Sequence, residues 1–164
     1  MDGDAFDRIA RAHGAALARV AWGYVSNAAD HDDLVQEILV AIWRALPRFR
    51  GDASERTYVF RIAHNRGITF AARRREHETL DADASIADPA PGAHEALEAA
   101  LERTRLVTAV RSLPEPLRQA VMMRLEGFEI AEIASVQGIS ENNVSVRLIR
   151  ARDRLRALLG EGAT

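Results

Sequence analysis

Arginine is the residue type with the clearest capacity for chemistry in this sequence, because all 22 basic residues are arginine. Nine of them lie within residues 44–75 against only two acids, so this segment is strongly basic although the whole chain carries a net charge of -2. Five more lie within residues 147–156 against one aspartate. Guanidinium groups bind phosphates and guanine edges in planar, bidentate geometry. The clusters predict two nucleic-acid-binding surfaces, although genomic base composition can produce the same preference for arginine.

Catalytic and metal-binding patterns are missing from the sequence. Its five histidines are scattered and form no HExxH motif, and there is no G-x-S-x-G and no glycine-rich phosphate loop. The chain has no cysteine, which excludes disulfides and thiolate metal sites and suits a reducing compartment. No apolar run approaches the roughly 20 residues of a membrane span. We therefore expect a soluble cytoplasmic protein with no catalytic site, metal, cofactor or membrane insertion.

The elements that must position the arginines are helical, because apolar residues recur every three or four positions and no segment alternates. We predict an all-α fold of two small domains. Residues 1–75 form three helices, the second starting at Asp30 or His31 and the third capped by Asp52 or Ser54. Residues 76–94 lose the periodicity and form a flexible acidic linker. Residues 95–164 form about four helices.

A helix-turn-helix is predicted near the end of the chain. Ile133 and Ala134 lie on the inner face of one helix, Gly138 permits the turn, Ser140 caps the next helix and Val144 fills the crossing. The outward face of the second helix carries amide, hydroxyl and guanidinium groups suited to bases and phosphates. The alternative is an ordinary helical hairpin with a solvated arginine face.

Two segments of the sequence, one in each predicted domain, resemble two consecutive regions of a known protein family. DLVQEILVAIWRALPRFRGDASERTYVFRIAHNRGITFAARRRE is similar to region 2 of the extracytoplasmic-function sigma factors, a subfamily of the sigma-70 family, and LPEPLRQAVMMRLEGFEIAEIASVQGISENNVSVRLIRARDRLRALL is similar to their region 4. The resemblance implies a non-enzymatic factor that binds core RNA polymerase, through the clamp helices of its largest subunit and its flap region, and directs initiation at promoter DNA. It also implies control by an anti-sigma factor.

The resemblance assigns roles to individual positions. Polymerase binding falls on a polar stripe of the second helix, opposite an apolar arc that includes Trp43: Asp33, Gln36 and Glu37. Recognition of the minus-10 element falls on the next loop and the third helix: Phe49, Arg50, Asp52, Arg61, His64 and Asn65. Recognition of the minus-35 element falls on the last helix: Ser145, Val146, Arg147, Ile149, Arg150 and Arg154. Tyr58 and Phe60 are expected to serve packing instead.

Three alternatives stay open at this level. The stripe on the second helix can be a merely solvated face. The acidic linker can mimic RNA inside the polymerase or can serve solubility alone. The whole chain can be an autonomous helix-turn-helix regulator, which usually requires a dimer on a palindromic site, or a sigma-mimicking decoy that titrates an anti-sigma factor, although a decoy would not need the arginines of both DNA-facing helices.

Overall fold

The computed structural model describes residues 2–78 and 94–160, and within these ranges every regular element is helical. The predicted all-α class is confirmed. The chain divides into two units, Met1–Ala84 and Ser85–Thr164. Most of the predicted linker, and with it the RNA-mimic alternative, lies outside the described residues, while positions 76–78 continue the third helix. None of the described helices is long and apolar enough to cross a membrane.

The first unit consists of α1 (Asp2–Trp22), α2 (Ala28–Ala45), a short 3₁₀ helix (Leu46–Arg48) and α3 (Glu55–Glu78). The α2 helix begins at Ala28, two or three residues before the predicted start, because Asn27 caps it: the Asn27 side-chain oxygen accepts a hydrogen bond from the Asp30 amide at 2.8 Å. The α3 helix is capped by Ser54, whose hydroxyl oxygen accepts the Thr57 amide at 3.1 Å. Of the two caps predicted for α3, Ser54 is the one observed.

The core of the first unit is the buried face of α2 packed against α1 and α3. Leu34, Ile38 and Ile42 have no exposed surface, and they recur at helical spacing. Trp43 was predicted to belong to this apolar arc, and that prediction is wrong, because 53% of the residue is exposed. Ile42 occupies the core position, so its neighbour points about 100° away around the helix.

A close helix-to-loop contact also shapes this unit. Tyr24, which follows α1, lies against α3 at Gly67, and a Cβ atom at position 67 would overlap three carbons of the Tyr24 ring. The Tyr24 hydroxyl and Nδ1 of His64 share a buried hydrogen bond of 2.7 Å. Gly67 therefore sits in α3 because no side chain fits there.

The second unit consists of α4 (His94–Ser112), α5 (Glu115–Leu125), α6 (Ile130–Gln137) and α7 (Glu141–Gly160). The turn between α6 and α7 has the predicted chemistry. Gly138 is left-handed with φ of 66°, and its amide donates to the Ala134 carbonyl. The Ser140 hydroxyl oxygen accepts the Asn143 amide at 3.1 Å, and Val144 is fully buried. The predicted helix-turn-helix is confirmed.

Candidate functional site

The polar stripe on α2 faces a groove between α2 and α3. Asp33 and Gln36 are exposed and Glu37 is half-buried, and all three line the groove. Its volume is about 810 Å³, and Arg66 and Arg73 of α3 line the opposite side. The structure thus brings together the three residues predicted to bind polymerase, and it adds basic residues that the sequence pattern did not associate with them.

Glu37 already has a partner within the chain. Nη2 of Arg73 donates to both carboxylate oxygens of Glu37, at 2.8 and 3.0 Å. The next arginine, Arg74, binds the carboxylate of Asp30. Two of the three consecutive arginines at 73–75 are therefore engaged with acids of α2, and one of these acids, Glu37, belongs to the stripe.

The loop between the 3₁₀ helix and α3 is anchored at both ends. At its start, the rings of Phe49 and Tyr58 lie 4.8 Å apart, and the Tyr58 hydroxyl donates to the Ala45 carbonyl at 3.1 Å. At its end, Ser54 caps α3. Between these anchors Arg50 and Asp52 are exposed. Phe49, Arg50 and Asp52 are therefore held in one ordered loop.

The residues predicted on α3 divide into two sets. Asn65 is exposed and Arg61 is half-buried, so both reach the surface. His64 has no exposed surface and is hydrogen-bonded to Tyr24. The prediction that His64 contacts the minus-10 element is not supported by this placement, because α3 packs against both α1 and α2 and buries a wide arc that includes His64 and Thr57. Phe60, 1% exposed, is a core residue as expected.

A bidentate ion pair that the sequence did not reveal joins α1 to the beginning of α3. Arg8 donates from Nη1 and Nη2 to the two oxygens of Glu55, at 2.8 and 2.6 Å. Hydrogen bonding by Arg8 holds the pKa of the Glu55 carboxyl below its usual range, outweighing the partial burial that raises it. The pair fixes α1 beside the loop that carries Arg50 and Asp52.

This pair predicts a pH dependence of stability. Because the folded-state pKa of Glu55 is lowered, its stabilising contribution is complete above the usual carboxyl pKa and is lost as the pH falls from there through the lowered folded-state pKa. Glu55→Gln should therefore flatten the acid limb of a plot of unfolding free energy against pH, measured by urea titration. The effect should be small and should shrink in high salt, because the pair is partly exposed.

The matched variant for this measurement is Arg8→Gln, which removes the same ion pair by changing the arginine and leaving Glu55 in place. Glu55→Gln and the double variant should give the same flattened acid limb, and Arg8→Gln should flatten it slightly less, because Nε2 of His13 lies 4.0 Å from a Glu55 oxygen and also lowers the pKa of Glu55. A double variant with a clearly flatter limb than either single variant would show that the two residues act independently.

The last helix presents most of the residues predicted for the minus-35 element. Arg150 and Arg154 are exposed, and Arg147, Val146 and Ser145 are half-buried. The Ser145 hydroxyl donates to the Glu141 carbonyl at 3.2 Å, so it is engaged within α7. Arg147, Arg150 and Arg154 recur at spacings of three and four, which places them on one face of the helix.

Ile149 lies at the edge of a second groove, between α5 and α7, with a volume of about 780 Å³. The groove floor is apolar, and Leu125 is 71% and Ile149 50% exposed. Arginines line its sides: Arg124, Arg152 and Arg156. The sequence pattern gave no sign of this groove, because its apolar residues come from two different helices, α5 and α7. Ile149 thus borders both this groove and the arginine-bearing face.

Metal binding has no candidate in the described ranges, where no group of three or more histidine, aspartate or glutamate side chains converges. Apart from the buried His64, the predicted site residues lie on three surfaces: the groove and stripe of α2, the loop with the outward face of α3, and the outward face of α7.

Comparisons with known proteins match both units. A family model described as sigma-70 region 2 matches residues 9–77, and one described as sigma-70, region 4 matches residues 103–155. The chain is 32% identical to the RNA polymerase sigma factor CnrH of Cupriavidus metallidurans, over 94% of this chain and 86% of that protein. It is 33% identical to the ECF RNA polymerase sigma factor SigM of Mycobacterium tuberculosis, over 95% of this chain and 78% of that protein.

A solved structure of one of these relatives is also similar in fold. The structure of CnrH in complex with the cytosolic domain of CnrY superposes with a TM-score of 0.74 at 29% identity, covering 99% of this chain and 91% of that one. Full-length similarity above 30% identity, together with both region models in the expected order, leads to one assignment. The chain belongs to the extracytoplasmic-function subfamily of the sigma-70 family of RNA polymerase sigma factors.

Proposed function

We propose that this protein binds core RNA polymerase in the cytoplasm and directs promoter-specific initiation, contributing no enzymatic step of its own. The observation that carries the proposal is the pairing of a region 2 unit with a region 4 unit that contains a complete helix-turn-helix. The functional division follows the predicted limits: residues 1–75 dock on polymerase and read the minus-10 element, 76–94 connect, and 95–164 read the minus-35 element.

Docking is assigned to two grooves. The α2 stripe formed by Asp33, Gln36 and Glu37 contacts the clamp helices of the largest polymerase subunit, since its carboxylates line an open groove that a partner helix can enter. The apolar groove between α5 and α7, with Leu125 at its edge, contacts the flap region. An apolar floor between charged sides is the usual composition of a protein-protein interface.

DNA recognition is assigned to the other two surfaces. The loop residues Phe49, Arg50 and Asp52, with Arg61 and Asn65 of α3, hold the single-stranded minus-10 element, where arginines bind backbone and an aromatic ring can stack on a base. The outward face of α7 enters the major groove at the minus-35 element. Its proposed contacts are Ser145, Val146, Arg147, Ile149, Arg150 and Arg154.

An anti-sigma factor is the proposed regulator. The similar solved structure of CnrH is a complex with the cytosolic domain of another protein, CnrY, which supports a protein partner for this chain as well. Such a partner would block initiation by covering the surfaces that meet polymerase. The same observation leaves the decoy as the second candidate, since a decoy must also bind an anti-sigma factor.

In-vitro transcription separates these functions. Core polymerase with the purified protein should transcribe a subset of a promoter library that core alone does not. Transcription would exclude the decoy. Absence of transcription combined with tight binding to an anti-sigma factor would support the decoy, and sequence-specific binding of a dimer to DNA without polymerase would support an autonomous regulator.

The docking assignment predicts the effect of reversing one charge on the stripe. Glu37→Arg should lower affinity for core polymerase about ten-fold, or about 1.4 kcal/mol, because it replaces a groove-lining carboxylate by a cation that also repels Arg73. The helical content should not change, since Glu37 is partly exposed. The measurement is equilibrium binding to fluorescently labelled core polymerase, alongside circular dichroism.

The control is Asp32→Arg, an equal charge reversal on the same helix at a side chain that is 80% exposed and outside the groove. It should leave core affinity within two-fold of the parent, a margin of about 0.4 kcal/mol. Equal losses in both variants would mean that general charge matters and that the groove is not the docking surface.

A further inference from the structure

Arg73 is not among the proposed polymerase contacts, although it makes two hydrogen bonds to Glu37 of the docking stripe. We propose that Arg73 is a positioning residue that holds the Glu37 carboxylate in the groove, ready for polymerase. The proposal rests on the proposed docking role of Glu37. It adds a residue from α3 to a docking surface otherwise formed by α2.

The geometry of the pair restrains both side chains. A single nitrogen, Nη2 of Arg73, bonds both oxygens of Glu37 at 2.8 and 3.0 Å. The guanidinium carbon of Arg73 lies 5.6 Å from the centroid of the Phe70 ring. Phe70 is only 6% exposed, so its ring is a fixed support beneath the guanidinium. The restraint thus runs from the core through Phe70 and Arg73 to Glu37.

The arrangement favours positioning over competition with polymerase. The Glu37 side chain keeps 37% of its surface exposed while Arg73 is bound. A carboxylate has about four lone-pair positions, and Arg73 contacts it through one nitrogen only. A cationic group of the partner can therefore bind Glu37 without displacing Arg73. Holding the flexible side chain in its bound direction before contact reduces the entropy lost on binding.

The neighbouring arginine, Arg74, does not position Glu37. Arg74 also lies near Phe70, at 5.7 Å from the ring centroid, but it binds Asp30. The Asp30 side chain is only 12% exposed, and it also accepts a hydrogen bond from the side-chain amide of Asn27 at 2.9 Å. Arg74 is therefore committed to the start of α2, and Arg73 is the arginine of the run that serves the stripe.

A double-mutant cycle tests the proposal on the full-length protein. Affinity for core polymerase is measured for the parent, Arg73→Ala, Glu37→Gln and the double variant. Arg73→Ala should weaken binding about five-fold in the parent and have no effect in the Glu37→Gln background, because its action passes through the carboxylate. The five-fold loss should shrink in high salt. Thermal unfolding of each variant checks the fold, and Arg73→Gln replaces Arg73→Ala if that variant does not fold.

The control is Arg75→Ala, which removes an exposed arginine of the same run that does not line the groove; its core affinity should equal that of the parent. An equal loss on Arg73→Ala in both backgrounds would show that Arg73 contacts polymerase directly and would overturn the proposal. Tighter binding by Arg73→Ala would also overturn it, since Arg73 would then be a competitor. No loss on Glu37→Gln would instead refute the docking role of Glu37 itself.

Discussion

Gly67→Ala is expected to destabilise the first unit by roughly 3 kcal/mol, near the upper end of the cost of overpacking a core. In an ordinary helix interior this change stabilises by about 1 kcal/mol. Here the added Cβ overlaps the Tyr24 ring. The ring cannot move aside easily, because Tyr24 is 7% exposed and its hydroxyl is bonded to His64 at 2.7 Å.

The measurement is a urea titration followed by tryptophan fluorescence. Both tryptophans of the chain, Trp22 and Trp43, belong to the first unit, so the signal reports on that unit alone. Gly14→Ala in α1 is the matched control, because no atom lies within 4 Å of its added Cβ. It should stabilise by about 0.5–1 kcal/mol.

A second variant identifies the cause of the loss. If the overlap with the ring is responsible, Gly67→Ala should cost much less in a Tyr24→Ala background, where the ring is absent. An equal cost in both backgrounds would place the clash elsewhere, and a stabilising Gly67→Ala would mean that α3 and the Tyr24 loop are not packed as described.

The number of α-helices could be predicted from the sequence, because apolar repeats and stop signals mark them, whereas the short 3₁₀ helix (Leu46–Arg48) was not predicted. The turn of the helix-turn-helix was especially clear. A left-handed Gly138 followed by a capping Ser140 specifies one local geometry whatever surrounds it. The start of α2 was less clear, because Asn27 and Asp30 are both good caps and only the backbone decides between them.

The orientation of α3 could not be predicted, because its buried face is partly polar. Thr57, His64 and Gly67 are all buried there, and none is a typical core residue. A helix that packs on two neighbours buries a wide arc, and polar groups within it must be bonded to partners from other elements, as His64 is to Tyr24. Neither the resemblance that assigned His64 to the minus-10 element nor the apolar repeat therefore indicated that His64 lies on the buried face.

The ion pairs between helices could likewise not be predicted from the sequence. The pairs Arg73 with Glu37 and Arg8 with Glu55 join residues 36 and 47 positions apart. Their formation depends on how far each helix is shifted along its neighbour, which apolar periodicity does not report. The stripe of α2 was predicted as a surface, but its counterion from α3 was found only in the structure.

Arg150→Ala is expected to cost roughly 1–3 kcal/mol at the preferred minus-35 sequence and to reduce discrimination at one base position. Arg150 is exposed on α7, away from the buried Val144 and Ala151, so its guanidinium can reach the O6 and N7 acceptors of a guanine. The fold should be unaffected for the same reason. The measurement is holoenzyme binding or transcription on promoters that carry single-base substitutions.

Arg154→Ala is the matched control within the same helix, because Arg154 is also exposed and lies one turn, about 6 Å, farther from the start of α7. At that distance from the bases it should contact phosphate, so its loss should weaken all promoters alike and reduce the salt dependence by about one phosphate contact. Base preference that survives Arg150→Ala, or that changes with Arg154→Ala, would show that α7 enters the groove in a different orientation, with another residue of its outward face nearest the bases.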